Sequence, residues 1–378
     1  MRFITKHMMC AGPDARSLEA AIAEITETGA SSLLILACDA DGWTPEIIDP
    51  VLKRSTLPLF GGIFPSILKQ SNCYNNGTLI LGLSVTADVF LVRDISGSLD
   101  ALEHSLDEIA PHLLRAKTLF TIVDGLSKSV ERLVENLFYT VGAQPSTFGC
   151  CAGSLELVQK ACLFSNEGLV ADAALIVGLP RFHFSSVSHG WEILDGPYLV
   201  TGAQGNKLDS LNYLPAFDVY REQLESNTEF RFGSNDFFSI TKIHPLGIAN
   251  ACGEILVRDP LYISGKSLVC VGDIPPFSSV YLLKGDESSL IASSAEAAQW
   301  VKKAHYNSHH NRDSNTTLLF DCVSRSLFLE GAFKHELQEI CDQLGEGEIF
   351  GTLSLGEISN SRKGPIELLN KAAVVAMF

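Results

Sequence analysis

Hydrophobic and polar positions follow the same order in three stretches of the chain. Residues 31–37 form a short apolar run, Thr44-Pro45-Glu46 is a typical helix start, and residues 57–60 form a second apolar run. The order returns in residues 118–148 and again in residues 317–350. A buried strand, a helix and a second strand of this length make up the usual strand–helix–strand motif. The pattern predicts three such units, with helices over about 44–54, 127–141 and 333–344.

A Phe-Gly pair closes each predicted unit, at residues 60–61, 148–149 and 350–351. Glycine after a strand allows a sharp turn or the close approach of a neighbouring backbone. Strand ends in α/β sheets are also the places where ligands bind. Two interpretations stay open. Either Gly61, Gly149 and Gly351 serve only the turns, or the three strand ends line one cleft.

The remaining segments add short strands, which makes the predicted fold class mixed α/β. Residues 182–188, 198–201, 239–242, 255–258 and 280–283 have the character of half-exposed strands. The polar, glycine-containing residues 227–236 predict a loop or hinge. We expect two pseudo-repeated lobes with central β-sheets flanked by helices, over residues 1–205 and 206–378.

Composition and charge narrow the function classes. The 378 residues carry a net charge of −16 and no basic patch, which argues against a nucleic-acid binder. We expect no membrane span, because no apolar run reaches about 18 residues, and no signal peptide at the N-terminus. The ten cysteines include no CxxC pair, which predicts free thiols in a reducing compartment. We therefore expect a cytoplasmic protein.

Motifs of known catalytic mechanism are missing from the sequence, which has no GxSxG, GxGxxG, GxxxxGK[ST] or HExxH. Cys150-Cys151 follows a predicted strand, and it is either a reactive thiolate paired with a distant histidine or a buried, inert pair. His305, His309 and His310 have a spacing that suits a metal site on a helix, or else they belong to a solvated loop.

Four further residues have side chains suited to a small-molecule site. His189 and Trp191 follow a predicted strand, where they either line an apolar pocket or pack together as structural residues. An imidazole such as that of His189 is also a common ligand of iron. Arg325 follows a buried strand, and it either binds a ligand carboxylate or forms a structural ion pair with Glu357.

The order of motifs from about residue 180 to the end resembles the FIST family of sensory domains. The matching motifs are Ser188-His189-Gly190-Trp191, Gly196-Pro197, Val200-Thr201, Gly205-Asn206-Lys207-Leu208, Leu214-Pro215-Ala216, His244-Pro245-Leu246-Gly247-Ile248, Val257-Arg258, Leu319-Phe320-Asp321-Cys322-Val323-Ser324-Arg325, Phe350-Gly351 and Leu355-Gly356-Glu357-Ile358. The N-terminal half matches more loosely. Ser324 stands where the family usually has glycine.

The resemblance implies an intracellular sensor and not an enzyme, with a FIST N-like lobe and a FIST C-like lobe. It implies a small ligand, such as an amino acid, bound between the lobes. It also implies signalling through a separate partner, such as a histidine kinase or a cyclic-dinucleotide enzyme. Some bacterial members bind haem and sense nitric oxide, which makes haem b a candidate cofactor.

These implications assign expected roles to particular residues. If haem is bound, we expect His189 as the axial iron ligand, with His244 second, Trp191 beside it and Arg325 at a propionate. His244 precedes Pro245, which restricts it to extended conformations. Residues expected to bind the ligand at the strand ends are Gly61, Gly149, Cys322 and Glu357. Two alternatives stay open: a cysteine-dependent enzyme that uses Cys150 or Cys151, and an adaptor without a ligand.

Overall fold

A computed structural model describes residues 2–233, 236–250, 253–308, 315–360 and 364–378. The helices in these ranges are α1 (Ala15–Glu27), α2 (Pro45–Leu52), α3 (Leu99–Leu113), α4 (Val130–Val141), α5 (Ala216–Asn227), α6 (Phe237–Thr241), α7 (Glu287–Asn307), α8 (Val323–Leu329) and α9 (Phe333–Leu344). Two short 3-10 helices cover Asp39–Asp41 and Glu330–Ala332.

The strands of the first half are β1 (Ile4–Cys10), β2 (Ser32–Cys38), β3 (Leu59–Phe64), β4 (Ser66–Lys69), β5 (Asn72–Tyr74), β6 (Thr78–Leu83), β7 (Asp88–Arg93), β8 (Thr118–Asp124), β9 (Ser146–Ala152), β10 (Leu163–Ser165), β11 (Gly168–Val170), β12 (Ala173–Leu179) and β13 (Phe184–Ser188). Those of the second half are β14 (Glu192–Gln204), β15 (Lys207–Leu211), β16 (Leu214–Pro215), β17 (Leu246–Ala249), β18 (Ile255–Arg258), β19 (Pro260–Ser264), β20 (Ser267–Cys270), β21 (Ser279–Lys284), β22 (Thr316–Cys322), β23 (Glu348–Ser354), β24 (Glu357–Ser359), β25 (Glu367–Leu369) and β26 (Ala373–Met377). The mixed α/β class is confirmed.

One arrangement of elements occurs three times along the chain. Each repeat has an edge strand, a helix, two parallel strands joined by helical structure, a hairpin and a returning strand. The first repeat is β1-α1-β2-α2-β3-β4-β5-β6, and the second is β7-α3-β8-α4-β9-β10-β11-β12. The third is β13-α7-β22-α8-α9-β23-β24-β25-β26. The three predicted strand–helix–strand units are confirmed, because β2–β3, β8–β9 and β22–β23 pair in parallel.

The hairpins are exchanged around the three repeats. Hairpin β4–β5 of the first repeat pairs with β23 of the third repeat. Hairpin β24–β25 of the third repeat pairs with β9 of the second, and hairpin β10–β11 of the second pairs with β3 of the first. Each six-stranded sheet is therefore completed by a hairpin from another repeat.

An additional sheet is inserted into the third repeat, between β13 and α7. It contains strands β14 to β21, in the order β18-β17-β21-β14-β15-β20-β19 with β16 on β15, and it carries α5 and α6. We call this part, residues 192–284, the inserted subdomain. Its own apolar core includes Val200, Tyr220 and Leu282. The expected strand at residues 239–242 is wrong, because these residues follow Asp236, which caps α6.

The first strand of each parallel pair is buried along its whole length, as the uninterrupted apolar runs predicted. One face of each sheet contributes to a common core, in which Phe60, Phe148, Phe320 and Phe350 all take part. The Phe120 ring stacks on the Phe148 ring with 4.7 Å between centroids. Helices cover the outer faces, so the central strands meet apolar groups on both sides. No helix in the described ranges is both long and apolar enough to cross a bilayer.

The Phe-Gly pairs lie inside strands and not at strand ends, which corrects the sequence prediction. Gly61, Gly149 and Gly351 are interior residues of β3, β9 and β23. A Cβ added to them would lie 1.8, 2.0 and 1.7 Å from a carbonyl oxygen of the parallel neighbour strand. Glycine is therefore required for the close approach of two backbones, and no turn is formed at these positions.

Candidate functional site

A cavity of about 750 Å³ lies where the second and third repeats face the inserted subdomain. One wall follows the carboxyl ends of the parallel strands β8, β9, β22 and β23, the usual place for a ligand in such sheets. We call it the central cavity. Its lining residues are Gly125, Leu126, Ser127, Lys128, Val130, Glu131, Cys151, Leu155, Leu157, Gly205, Asn206, Phe238, Asp259, Leu261, Cys270, Val271, Gly272, Asp273, Cys322, Val323, Ser324, Leu327, Leu355, Leu368 and Asn370.

The walls of the central cavity are largely apolar, and some of the apolar lining side chains are exposed to solvent. Leu157 from the second repeat is 63% exposed, Leu327 from the third repeat 46%, and Phe238 from the inserted subdomain 43%. A cavity of this size with apolar walls and few polar groups is typical of a small-molecule site.

Two buried polar side chains on the cavity wall have unused hydrogen-bonding capacity. Asp259 is 5% exposed, and its Oδ2 lies 3.1 Å from Lys371 Nζ. Its Oδ1 has no hydrogen-bond partner among the described residues, and burial raises the pKa of this carboxyl group. Asn370 is 4% exposed, and its Nδ2 likewise lacks a partner in the described part of the chain. Buried polar groups without partners are uncommon, which makes these two candidates for ligand contacts.

Three thiols line the central cavity, and none of them is activated. Burial raises the pKa of Cys270 and of Cys322 to about 12, and raises the pKa of Cys151 well above its usual value. Cys150, behind Cys151, is fully buried with a similarly raised pKa. A catalytic cysteine needs a stabilised thiolate, so these environments favour the buried, inert pair over the cysteine-dependent enzyme.

Arg325 is fully buried and does not line the central cavity. Its Nε lies 3.2 Å from an oxygen of Asp321, and an Nη pairs with Glu336. The same guanidinium donates hydrogen bonds to the carbonyls of His189, Leu290 and Lys371 and to the hydroxyl of Ser294. The ion pair with Glu357 that was weighed from the sequence is not found among the described residues, because Arg325 pairs with Asp321 and Glu336 instead. Because it is buried between two carboxylates and away from the central cavity, this guanidinium is not placed to bind a ligand carboxylate there.

Glu357 lies outside the cavity lining, close to the lining residue Cys322. Its carboxylate accepts a hydrogen bond of 2.7 Å from the Ser354 hydroxyl and one of 3.4 Å from the backbone N–H of Ala372. Burial raises the pKa of Glu357 to about 8. Of these two predicted ligand-binding residues, Cys322 lines the central cavity and Glu357 does not.

The imidazoles of His189 and His244 form hydrogen bonds with backbone groups away from the central cavity. His189 Nδ1 accepts the backbone N–H of Trp191 at 2.9 Å, and the ring also makes a hydrogen bond with the backbone of Ile255. Burial and the nearby Arg325 charge lower the pKa of His189 to about 4. His244 Nδ1 lies 3.1 Å from the Leu283 carbonyl oxygen.

Neither histidine lines the central cavity, and neither does Trp191, whose indole ring lies under the Lys371 ammonium. Both ring nitrogens of His189 already make hydrogen bonds to the backbone. The positions of His189, His244 and Trp191 therefore do not fit an axial iron ligand and a surrounding haem pocket. The proposed function includes no haem.

The other predicted site residues lie apart from the cavity as well. Gly61 and Gly149 face neighbouring backbones inside their sheets. His305 is buried near the end of α7, while His309 and His310 lie outside the described residues. Across the described ranges, no group of three or more His, Cys, Asp or Glu side chains is arranged to hold a metal ion.

Of the predicted site residues, the central cavity therefore contains Cys322, and of the Cys150-Cys151 pair it contains Cys151. Sequence reasoning missed Asp259, Asn370 and the turn of residues 125–128. The turn could have been predicted as part of the site, because it follows directly after a predicted buried strand of an α/β unit. Asp259 and Asn370 lie in short, irregular stretches with no periodic signal.

Comparison with protein families gives two matches. The model of the FIST N domain matches residues 32–213, and the model of the FIST C domain matches residues 216–360. Together they cover most of the chain, and they meet inside the inserted subdomain. No curated protein matches the chain.

Proposed function

The chain belongs to the FIST family, and we propose that it is a sensor whose small ligand binds in the central cavity. FIST domains are associated with small-ligand sensing in signal transduction and are not catalytic domains. The proposal places the ligand between the carboxyl strand ends of the second and third repeats and the inserted subdomain.

The observation that carries the proposal is the composition of the cavity wall. Apolar side chains from three separate parts of the chain surround a volume of about 750 Å³, and buried Asp259 and Asn370 stand on its wall with unused polar atoms. A ligand with hydrogen-bonding groups would satisfy these atoms, while its apolar part would contact the leucines.

The position of the cavity also supports a role in signalling. A ligand there would touch the second repeat, the third repeat and the inserted subdomain at once, so binding would change how these parts are held together. We propose that a separate partner, such as a histidine kinase or a cyclic-dinucleotide enzyme, responds to that change. Every cysteine that the structure describes is free, which supports an intracellular location.

The test is a thermal-shift screen of small metabolites, amino acids included, followed by a variant that fills the cavity. Leu327→Trp should abolish the stabilisation by each hit, because the indole would occupy the cavity next to α8. Leu114→Trp is the matched control: Leu114 is 56% exposed, similar to Leu327, and does not line the cavity. Hits that stabilise both variants equally would place the ligand elsewhere and contradict the proposal.

A further inference from the structure

The charged side chains at the central cavity do not decide which ligand binds there. Lys128 and Asp273 are exposed and Glu131 is half-buried, so these groups of opposite sign remain in contact with water. The charge of Arg258 acts on both Glu131 and Asp273 as well. Solvent and salt screen exposed charges of this kind. Selection of the ligand therefore depends on the buried polar groups of the wall.

Asp259 and Asn370 are buried polar residues of that wall, and each has one atom without a partner. Asp259 Oδ1 is an acceptor and Asn370 Nδ2 is a donor, and neither has a hydrogen-bond partner among the described residues. The two residues are only 5% and 4% exposed, so bulk water does not supply the missing partners. A ligand that pairs both atoms removes the cost of leaving them unpaired.

The two residues lie on the same part of the wall. Arg258, directly before Asp259, donates a hydrogen bond of 3.4 Å to the Leu368 carbonyl. Lys371, directly after Asn370, has its ammonium 3.1 Å from Asp259 Oδ2. The two chain segments are thus in contact at two points, and Asp259 and Asn370 both line the central cavity. One small polar group can therefore contact both side chains.

The charge of Asp259 is already matched inside the protein. Its partner Lys371 also donates a hydrogen bond of 3.2 Å to the Lys242 carbonyl, and its ammonium lies 5.0 Å from the centre of the Trp191 ring. A ligand cation beside Lys371, or a ligand anion beside Asp259, would have to be buried without a counter-ion of its own. Burial of such a charge costs far more than burial of a neutral polar group that is hydrogen-bonded.

We infer that Asp259 and Asn370 determine the specificity of the central cavity by binding a neutral carboxamide group. The amide N–H donates to Asp259 Oδ1, and the amide carbonyl accepts from Asn370 Nδ2, because a carboxamide carries a donor and an acceptor side by side. The apolar body of the ligand lies against Leu155, Leu327 and Leu355 of the wall. This inference rests on the proposed function and specifies the chemical class of its ligand.

Probes that share a butyl chain and differ in the polar group test the inference. We would titrate the full chain by calorimetry at pH 7 with pentanamide, hexan-2-one, n-pentylamine and norleucine. Hexan-2-one has a methyl group in place of the amide NH₂ and keeps only the acceptor, whereas protonated pentylamine has only donors. Pentanamide should bind about tenfold more tightly than either, because each lacks one of the two hydrogen bonds. Binding of hexan-2-one or norleucine as tight as that of pentanamide would overturn the inference.

A variant of Asn370 tests which protein atom contacts the ligand carbonyl. Asn370→Leu removes the donor, so it should weaken pentanamide and hexan-2-one about tenfold each and leave pentylamine unchanged. A merely structural role of Asn370 would weaken all three probes alike. Unchanged affinity for pentanamide, or an equal loss for the three probes, would refute the inference.

Asn136→Leu is the matched control for this variant. Asn136 is a buried residue of α4, 8% exposed, and does not line the central cavity, so the same change there should alter no affinity. Asp259 is kept unchanged, because its loss would leave buried Lys371 without its counter-ion. The probe series on the unchanged chain gives its result even if Asn370→Leu does not fold.

The outcome also separates this inference from the proposed function. Metabolite hits that Leu327→Trp abolishes, combined with no preference for pentanamide over hexan-2-one, would refute only the carboxamide. Pentanamide binding that survives Leu327→Trp would place the amide site elsewhere and overturn the inference. If no small molecule stabilises the chain, the proposed function fails, and the inference fails with it.

Discussion

The close strand contacts at Gly61, Gly149 and Gly351 give a quantitative prediction. Alanine at each position would put a Cβ within 2.0 Å of a carbonyl oxygen, whereas ordinary contacts begin near 3.4 Å. The parallel strands would have to separate by about 1.4 Å or more. Two ladder hydrogen bonds would be stretched, at about 1 kcal/mol each, and overpacking would add about 1–3 kcal/mol.

Each of the three substitutions should therefore lower the stability by about 3–5 kcal/mol. For a chain of this size the melting temperature should fall by roughly 2 °C per kcal/mol, or about 6–10 °C. We would measure melting by circular dichroism and by tryptophan fluorescence. We would compare the transition midpoints of variant and unchanged chain, and not free energies, because the unfolding of several repeats is not expected to be two-state.

Two further glycines are internal controls. Gly331 has no atom within 4 Å of an added Cβ, so Gly331→Ala should leave the melting temperature unchanged within about 2 °C. Gly62, next to Gly61 in β3, would bring a Cβ to 3.0 Å from Ala152 Cβ, and its substitution should have an intermediate effect. If Gly61→Ala, Gly149→Ala and Gly351→Ala melt like Gly331→Ala, the account of these strand contacts is wrong.

Three other predictions follow from the buried charges and thiols. Arg325→Met should destabilise the fold by about 3–5 kcal/mol, because two buried carboxylates lose their counter-ion; an unchanged melting temperature would contradict this role. Glu357 has a folded pKa of about 8 against an ordinary value of 4.5, so the stability that it contributes is present below pH 4.5 and is lost as the pH rises toward 8, by about 1.4 kcal/mol per unit. The melting temperature of Glu357→Gln should not show this fall between pH 5 and 8. An equal dependence of melting temperature on pH in the variant and in the unchanged chain would refute the role of Glu357. A thiol reagent at pH 7.5 should label exposed Cys73 first and reach Cys150 and Cys151 only on unfolding, whereas fast labelling of Cys151 would support a cysteine enzyme.

The fold could be predicted from the sequence where a short continuous stretch of residues determines the element. The apolar run at residues 31–37 and the helix start at Thr44 define one strand–helix–strand unit, and α2 does begin at Pro45 after Thr44. The position of the Phe-Gly pairs inside strands was not predictable in the same way. The need for glycine there comes from a neighbouring carbonyl, and the sequence around Gly149 does not show how closely that strand approaches.

The candidate site was less accessible because its residues are distant in sequence. Cys322 was found since it ends a buried strand, and Arg325 was singled out for the same reason. One partner of Arg325, Glu336, comes from the next helix, and only the three-dimensional packing shows that the pair is closed to ligands. Asp259 and Asn370 line the same cavity although more than a hundred residues separate them.

The exchange of hairpins has a consequence for synthesis on the ribosome. The first repeat emerges early, but its hairpin β4–β5 has no pairing strand until β23 of the third repeat has been made. At translation rates of about 5–20 residues per second, this hairpin waits for tens of seconds. The second sheet in turn is not complete until the third repeat supplies β24–β25. Each of the three sheets therefore depends on another repeat, and a chain released before β23 is made would leave the hairpin β4–β5 and strand β9 without their pairing strands.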